Sequence, residues 1–239
     1  MEEINISNTD IRLDRLSLDA KAKMVVSFKP FLAEIIRDSY PELRNLTREE
    51  IISMIPGEGD QARMGATEMK EGGEKSIYLD TRFDISGEDY HLIMAVDIQG
   101  YSEPDEAKAK RMVYYLSRLI ASQLKPGDDF RSLRRTRLAW FDLQPSEANR
   151  CAVLSFDTAF LRICGGEDSA LEGSDIAGVK YYGVDRGRET HLNKVLDMAN
   201  IIWNDRVPVA ERLSRLEEKY NIVGNDYFSE GVSAMEPLS

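Results

Sequence analysis

The sequence predicts an α/β fold in which helices flank a mixed β-sheet. Two segments, residues 75–85 and 90–99, are rich in β-branched and aromatic side chains, and Gly87 supplies a turn between them. This pattern predicts two consecutive antiparallel strands. A helix is predicted over residues 108–124 and a further strand over 136–143. With a helix before the first strand, the order helix, strand, strand, helix, strand is typical of an α/β core.

Two helices are predicted before this core. The first covers about residues 19–38, and Pro41 ends it or starts the next turn. The second is predicted from a capping box, in which Thr47 and Glu50 satisfy the first backbone N–H groups of a short helix that ends near Met54.

The segments after the core predict two further strands and two helices. The strands are expected at residues 152–160 and 178–184, and the amphipathic helices at 189–203 and 209–220. We therefore divide the chain into a main domain, 1–185, and a C-terminal helical appendage, 186–239. The helix predicted at 189–203 carries an apolar stripe at helical spacing. Such a stripe is more typical of packing on the host domain than of a partner surface, although an exposed stripe would support dimerisation. Its residues are Leu192, Val195, Leu196, Ala199, Ile202 and Trp203.

Composition restricts the location and the chemistry of the protein. The 239 residues are 42% hydrophobic, which suffices for a real core. No apolar run approaches the roughly 20 residues that cross a bilayer, and the acidic start lacks a signal-peptide pattern. We expect a cytoplasmic protein with no membrane partner. Cys151 and Cys164 have no metal-binding spacing, so a zinc site is not expected and both are predicted to be buried.

Two acids at the ends of strand-like segments are the leading candidate site. Asp97 follows Asp80 by seventeen residues, and Asp97 and Gln99 share one strand face because side chains alternate. Antiparallel strands would bring the two carboxylates together, and hard oxygen ligands suit Mg²⁺ or Mn²⁺. The alternative is that both acids meet solvent or pair with Arg82 or Arg111.

The order of these motifs resembles the PD-(D/E)XK nuclease superfamily, in particular bacterial nuclease-family transposases and recombination-promoting nucleases. The resemblance covers roughly residues 20–145. It rests on Asp80 at the end of one strand, on Asp97 and Gln99 in the next, and on the helix with Arg111 that follows. It implies a restriction-endonuclease-like core, a mixed sheet of the α-β-β-β-α-β type flanked by helices, with the C-terminal helices appended.

This resemblance implies a Mg²⁺- or Mn²⁺-dependent endonuclease that hydrolyses DNA, with a link to mobile elements or recombination. Asp80, Asp97 and Gln99 would be catalytic. The metal ligands would be Asp80, Asp97, the Ile98 carbonyl and, from the first helix, Glu34. An exposed helix glutamate is the alternative interpretation of Glu34.

The sequence departs from the superfamily at two positions. Asp97 stands where the family usually carries Glu, and Gln99 stands where it often carries Lys. The shorter carboxylate shifts its oxygens by about one bond length, whereas Mg²⁺ holds its ligands at about 2.0 to 2.1 Å. The alternatives are therefore a catalytically weakened nuclease-fold protein that binds DNA or protein, and an interaction protein in which the acids are incidental.

Charge is distributed unevenly along the chain. The net charge of −11 opposes binding to nucleic acid, but residues 105–137 carry nine basic residues against four acids. Lys108, Arg111 and Arg118 follow helical spacing on one face, which we expect to bind DNA; an ordinary solvated face is the alternative. A homodimer is compatible with double-strand cleavage, which often needs two sites.

Overall fold

A computed structural model describes most of the chain. The described residues are 20–65, 68–69, 77–78, 81–88, 90–159, 163–164 and 175–233. They form an α/β fold in which helices flank a mixed five-stranded sheet, as the sequence predicts.

The strands of the main sheet are β5 (Thr81–Ser86), β6 (His91–Gln99), β7 (Arg135–Asp142), β8 (Val153–Asp157) and β9 (Ala177–Gly183). Across the sheet they lie in the order β5-β6-β7-β9-β8. The three central strands, β6, β7 and β9, are parallel, while β5 and β8 run antiparallel at the two edges. Strand β6 is buried over most of its length because helices cover both faces of the sheet.

Four shorter strands form two small sheets outside the main one. Strand β1 (Gly57–Glu58) pairs with β2 (Gln61–Ala62), and β3 (Glu68–Met69) pairs with β4 (Ile77–Tyr78). The single strand predicted at residues 75–85 is therefore divided, since β4 pairs with β3 whereas β5 pairs with β6.

The N-terminal helix is interrupted, so the prediction of one helix over residues 19–38 is wrong. Helix α1 covers residues 20–26 and α2 covers Lys29–Ser39. Between them Phe28 forms an isolated bridge with Gln61, and the Ser27 carbonyl accepts from the Ala62 amide. The backbone at this point pairs with β2 instead of continuing the helix, and a proline in the first turn of α2 suits a new start.

The remaining predicted helices are present, but the one predicted over residues 189–203 begins five residues later, at Lys194. Helix α3 (Arg48–Met54) begins with the predicted capping box. Helix α4 (Asp105–Ala121) connects β6 to β7, and α5 (Lys194–Ile202) and α6 (Val209–Tyr220) follow the sheet. The sequence did not predict α7 (Asp226–Ser233).

Alternation along β6 directs its side chains to two different layers. Met94 and Val96 face the larger core, which α2, α3 and the C-terminal helices complete. Ala95 faces the smaller core beneath α4. The Trp203 ring at the end of α5 lies 5.3 Å from the Phe141 ring of β7, so the C-terminal helices are part of the larger core.

Two further features follow from the described residues. None of their helices has both the length and the apolar character needed to cross a membrane. Both cysteines are free; Cys151 is half-buried and Cys164 is exposed in the loop after β8. The prediction that both are buried is therefore wrong for Cys164.

Candidate functional site

Asp97 and Gln99 lie side by side at the carboxyl end of β6, on the face that α4 covers. Their separation of two residues places them on one strand face, as predicted. The Gln99 amide nitrogen donates to the Asp97 carboxylate, so the two side chains are in direct contact. Asp97 is 1% exposed and Gln99 8%. A buried carboxylate requires hydrogen-bond partners, and Gln99 is one of them.

Arg111 of α4 fixes the orientation of the Gln99 amide. Its guanidinium donates to the Gln99 amide oxygen across 2.9 Å. The amide nitrogen is thereby directed to Asp97; a reversed amide would place oxygen against a carboxylate and N–H groups against a cation. Asp97, Gln99 and Arg111 therefore form one connected polar chain from strand to helix.

The Arg111 guanidinium lies between two aromatic rings. It is 4.8 Å from the centre of the Trp140 ring and 5.0 Å from that of Tyr101, and it pairs with Glu103 at 3.0 Å. Trp140 is the β7 neighbour of Asp97 in the sheet register. The buried donors Arg111 Nε and Trp140 Nε1 have no acceptor among the described residues. Buried donors without an acceptor also occur elsewhere in the described residues, for example Trp203 Nε1, so they are compatible with a ligand here without identifying one.

Asp142 is a site residue that the sequence analysis missed. It ends β7 directly beside Gln99 in the register and is completely buried. Lys108 of α4 donates to it across 2.5 Å and Tyr181 of β9 across 2.8 Å. Burial, followed by the hydrogen bond to Asp142, raises the pKa of the Tyr181 hydroxyl far above its ordinary value. The sequence contained a signal for this residue, because Asp142 lies at the carboxyl end of an apolar strand segment, as Asp97 does.

Of the predicted metal ligands, Asp80 lies outside the described residues. The Ile98 carbonyl can be placed by strand alternation. The Gln99 carbonyl accepts from Leu143 and so points toward β7, whereas the Val96 carbonyl accepts from Thr81 on the β5 side. The Ile98 carbonyl shares the direction of the Val96 carbonyl, toward the β5 side of the sheet.

The structure does not bring Glu34 to this site. Helix α2 packs on the opposite face of the sheet from α4, so Glu34 and Asp97 lie on different sides. The Glu34 carboxylate is 2% exposed and is bound by Arg37, Arg48 and Lys194. It is neither the solvent-facing glutamate nor the metal ligand that the sequence suggested, because three cations from three helices occupy its oxygens.

The three basic residues predicted to bind DNA are not a solvent-exposed set. Lys108 is 2% exposed and is bound to Asp142, and Arg111 is directed to Gln99. Arg118 is half-buried. Lys108 and Arg111 share a helix face as predicted, but that face is turned toward the sheet, where Asp142 and Gln99 accept from them.

The adjacent residues Tyr114 and Tyr115 lie on different faces of α4, as adjacent helical residues do. Tyr115 packs on Trp140 with the ring centres 5.9 Å apart, while Tyr114 is exposed.

The oxygen atoms that the described residues present at this edge are of the type that hard divalent cations bind. The Asp97 carboxylate and the Ile98 carbonyl offer the oxygen ligands that Mg²⁺ prefers. Within the described ranges, no group of three or more His, Cys, Asp or Glu side chains could hold a metal. A complete ligand set would therefore need Asp80 in addition to Asp97.

Comparisons with known proteins do not extend this picture. No protein-family model matches the chain, and no curated protein and no solved structure matches it either.

Proposed function

We propose that this protein is a metal-dependent endonuclease that hydrolyses phosphodiester bonds of DNA at the carboxyl end of β6. The observation that carries the proposal is the polar chain of Asp97, Gln99 and Arg111. It lies where ligands commonly bind in α/β sheets, outside the carboxyl ends of parallel strands. The hairpin β5–β6 and the crossover through α4 to β7 also follow the element order of the nuclease resemblance.

Each residue has a distinct part in the proposed reaction. Asp97, the Ile98 carbonyl and Asp80 would hold Mg²⁺, which lowers the pKa of a bound water and neutralises charge on the phosphate. Gln99 orients the attacking water or a phosphate oxygen by hydrogen bonding, since its amide carries no charge. Arg111 holds the Gln99 amide oxygen at 2.9 Å and shares its positive charge with Glu103 at 3.0 Å.

The two unpartnered donors support an anionic ligand at this position. Arg111 Nε and Trp140 Nε1 are buried beside Asp97 and could donate to phosphate oxygens. Charge-assisted hydrogen bonds from arginine are among the stronger contacts to phosphate. The link to mobile elements or recombination is part of this proposal and rests on the sequence resemblance alone.

The test is cleavage of supercoiled plasmid in Mg²⁺ or Mn²⁺. The wild type is compared with Asp80→Asn and Asp97→Asn, which keep side-chain volume, and with Asp60→Asn, an exposed acid away from the site, as the matched control. We expect metal-dependent nicking by the wild type and the control and at least a hundredfold loss in both site variants, the order of effect of a catalytic group. Equal cutting by Asp97→Asn would exclude this site.

A second function is favoured by the burial of Asp97. Asp97 is 1% exposed, and Lys108 and Arg111 are hydrogen-bonded to Asp142 and Gln99. The described site therefore offers little open surface to a substrate. A catalytically weakened nuclease-fold protein that binds DNA or another protein would have this property. Calorimetric titration with Mn²⁺ separates the two functions, because the binding module is expected to take up no metal.

A further inference from the structure

A pocket of about 200 Å³ lies beside α2, on the face of the sheet opposite the candidate active site. Its walls come from α2, from the turn after it and from the start of α5. The lining residues are Glu34, Arg37, Asp38, Arg44, Lys194 and Val195.

The charge around this pocket is positive in a strongly acidic protein. Three basic side chains, those of Arg37, Arg44 and Lys194, line the pocket with two acids, which gives a local excess of one positive charge. The chain as a whole carries −11. A cation-rich concavity of this kind concentrates anions.

The two acids of the pocket are already satisfied by other groups. Glu34 is bound by three cations, and its pKa lies below the ordinary value because the hydrogen bonds from Lys194 and Arg48 outweigh the opposing effect of burial. Asp38 accepts from the Tyr182 hydroxyl at 2.7 Å and from Asn193 at 3.0 Å. Both carboxylates are therefore already bound by groups of the protein.

Arg44 is the cation that remains available. It is exposed at the pocket, and its guanidinium has no acceptor among the described residues. Lys194 contributes a second set of donors. Its ammonium group donates to Glu34 across 2.9 Å and lies 5.6 Å from the centre of the Tyr220 ring, which leaves N–H groups for a further acceptor. Lys194 is also the first residue of α5, whose first backbone N–H groups favour an anion.

We propose that this pocket binds a small phosphate-bearing anion, either inorganic phosphate or the phosphate of a small phosphomonoester. Arginine presents paired N–H donors that match phosphate oxygens, and lysine adds a point charge. The volume is below the roughly 300 Å³ at which pockets for drug-sized ligands begin, so the ligand is small. This site is independent of the proposed nuclease activity, since it shares no residue with it.

The experiment is isothermal titration of the full-length protein with inorganic phosphate, glycerol 3-phosphate and acetate at low ionic strength. Arg44→Ala removes an exposed side chain without a partner in the described structure, so the fold is expected to survive. Arg63→Ala is the matched control, because Arg63 is equally exposed and lies outside the pocket. Lys194→Gln is the second variant. Backbone amide shifts of Lys194 and Val195 report where the anion binds.

We expect phosphate to bind and acetate to bind more weakly. Arg44→Ala and Lys194→Gln should each raise the Kd about tenfold, the effect of losing one charge-assisted hydrogen bond, and Arg63→Ala should leave it unchanged. Tighter binding of glycerol 3-phosphate than of inorganic phosphate would identify a phosphomonoester; equal binding would identify the phosphate group alone. Absence of heat and of amide shifts with both phosphates, or equal weakening by Arg63→Ala, would overturn the proposal.

Discussion

The Lys108 ammonium group donates to the Asp142 carboxylate across 2.5 Å, and both side chains are buried between α4 and the sheet. This contact fixes the start of α4 on the end of β7. It also places a cation next to the strand position that pairs with Gln99.

Replacing Lys108 with methionine should lower the free energy of unfolding by about 3 to 5 kcal/mol. The physical reason is that Asp142 would remain as a buried charge without its cation, which costs more than the pair itself contributes. Urea denaturation measures the change. Lys110→Met, on the exposed side of the same helix, is the control and should change stability by less than about 0.5 kcal/mol.

The double variant Lys108→Met with Asp142→Asn tests the cause of that loss. Removing both charges should restore part of the stability, because the Asn oxygen still accepts from the Tyr181 hydroxyl, whereas its NH2 group cannot accept from the Gln144 amide as the carboxylate does. If the double variant is no more stable than Lys108→Met alone, the loss comes from side-chain packing and the charge explanation is wrong.

Glu34 should make the protein sensitive to acid. Burial acts to raise the pKa of this carboxyl, but hydrogen bonds from Lys194 and Arg48 outweigh it, and the pKa lies below its ordinary value of 4.5. A carboxyl with a lowered pKa in the folded state stabilises the fold above its unfolded pKa, and this stabilisation is lost as the pH falls through the folded value.

The measurement is the free energy of unfolding of the wild type and of Glu34→Gln between about pH 3 and pH 7. The variant should be less stable at pH 7, and the difference should shrink below about pH 4.5. Glu49→Gln, an exposed position on α3, serves as the control. A difference that stays constant with pH would show that the Glu34 carboxylate is not held by the surrounding cations.

Four tyrosines should resist ionisation in the folded protein. Burial raises the pKa of Tyr40, Tyr181, Tyr182 and Tyr220 above the ordinary value of 10. The chain has ten tyrosines, so an ultraviolet titration of the native protein near pH 11 should detect at most six phenolates. Because these raised values favour the protonated folded form, stability is present below pH 10 and declines as the pH rises above it. Complete ionisation without loss of the far-ultraviolet circular dichroism signal would contradict this.

Gly183→Ala should destabilise the end of β9 by about 1 to 3 kcal/mol, the cost of overpacking. A Cβ atom at this position would lie 1.8 Å from the Asn149 carbonyl oxygen, and the Gly183 backbone already bonds to Cys151 and Ala152. Gly65→Ala is the comparison, since its nearest contact is the movable Asp84 carboxylate at 3.1 Å. Thermal denaturation should rank the two variants in this order.

The sequence predicted the main elements because their signals are local. The β-branched and aromatic content of residues 90–99 located β6, and Thr47 with Glu50 located the start of α3. Pro30 was a local signal for the break between α1 and α2, but the pairing of Phe28 with Gln61 at the break, more than thirty residues away, was not predictable from spacing. Helix α7 is short, and its packing against earlier helices through Phe28 and Phe228 is equally non-local.

The candidate site was predicted in part. Strand alternation correctly placed Asp97 and Gln99 on one face. Helical spacing correctly grouped Lys108 with Arg111 but gave no information on whether that face meets solvent or the sheet. Glu34 illustrates the same limit, since its three cations come from different helices and only the folded chain brings them together.

The position of β9 between β7 and β8 has a consequence for synthesis on the ribosome. Strand β8 leaves the ribosome before β9, its only neighbour in the five-stranded sheet, which begins about twenty residues later. The edge of β7 that pairs with β9 in the finished sheet also stays unpaired during this interval. The nascent chain therefore exposes strand edges that invite wrong pairing until Gly183 has emerged.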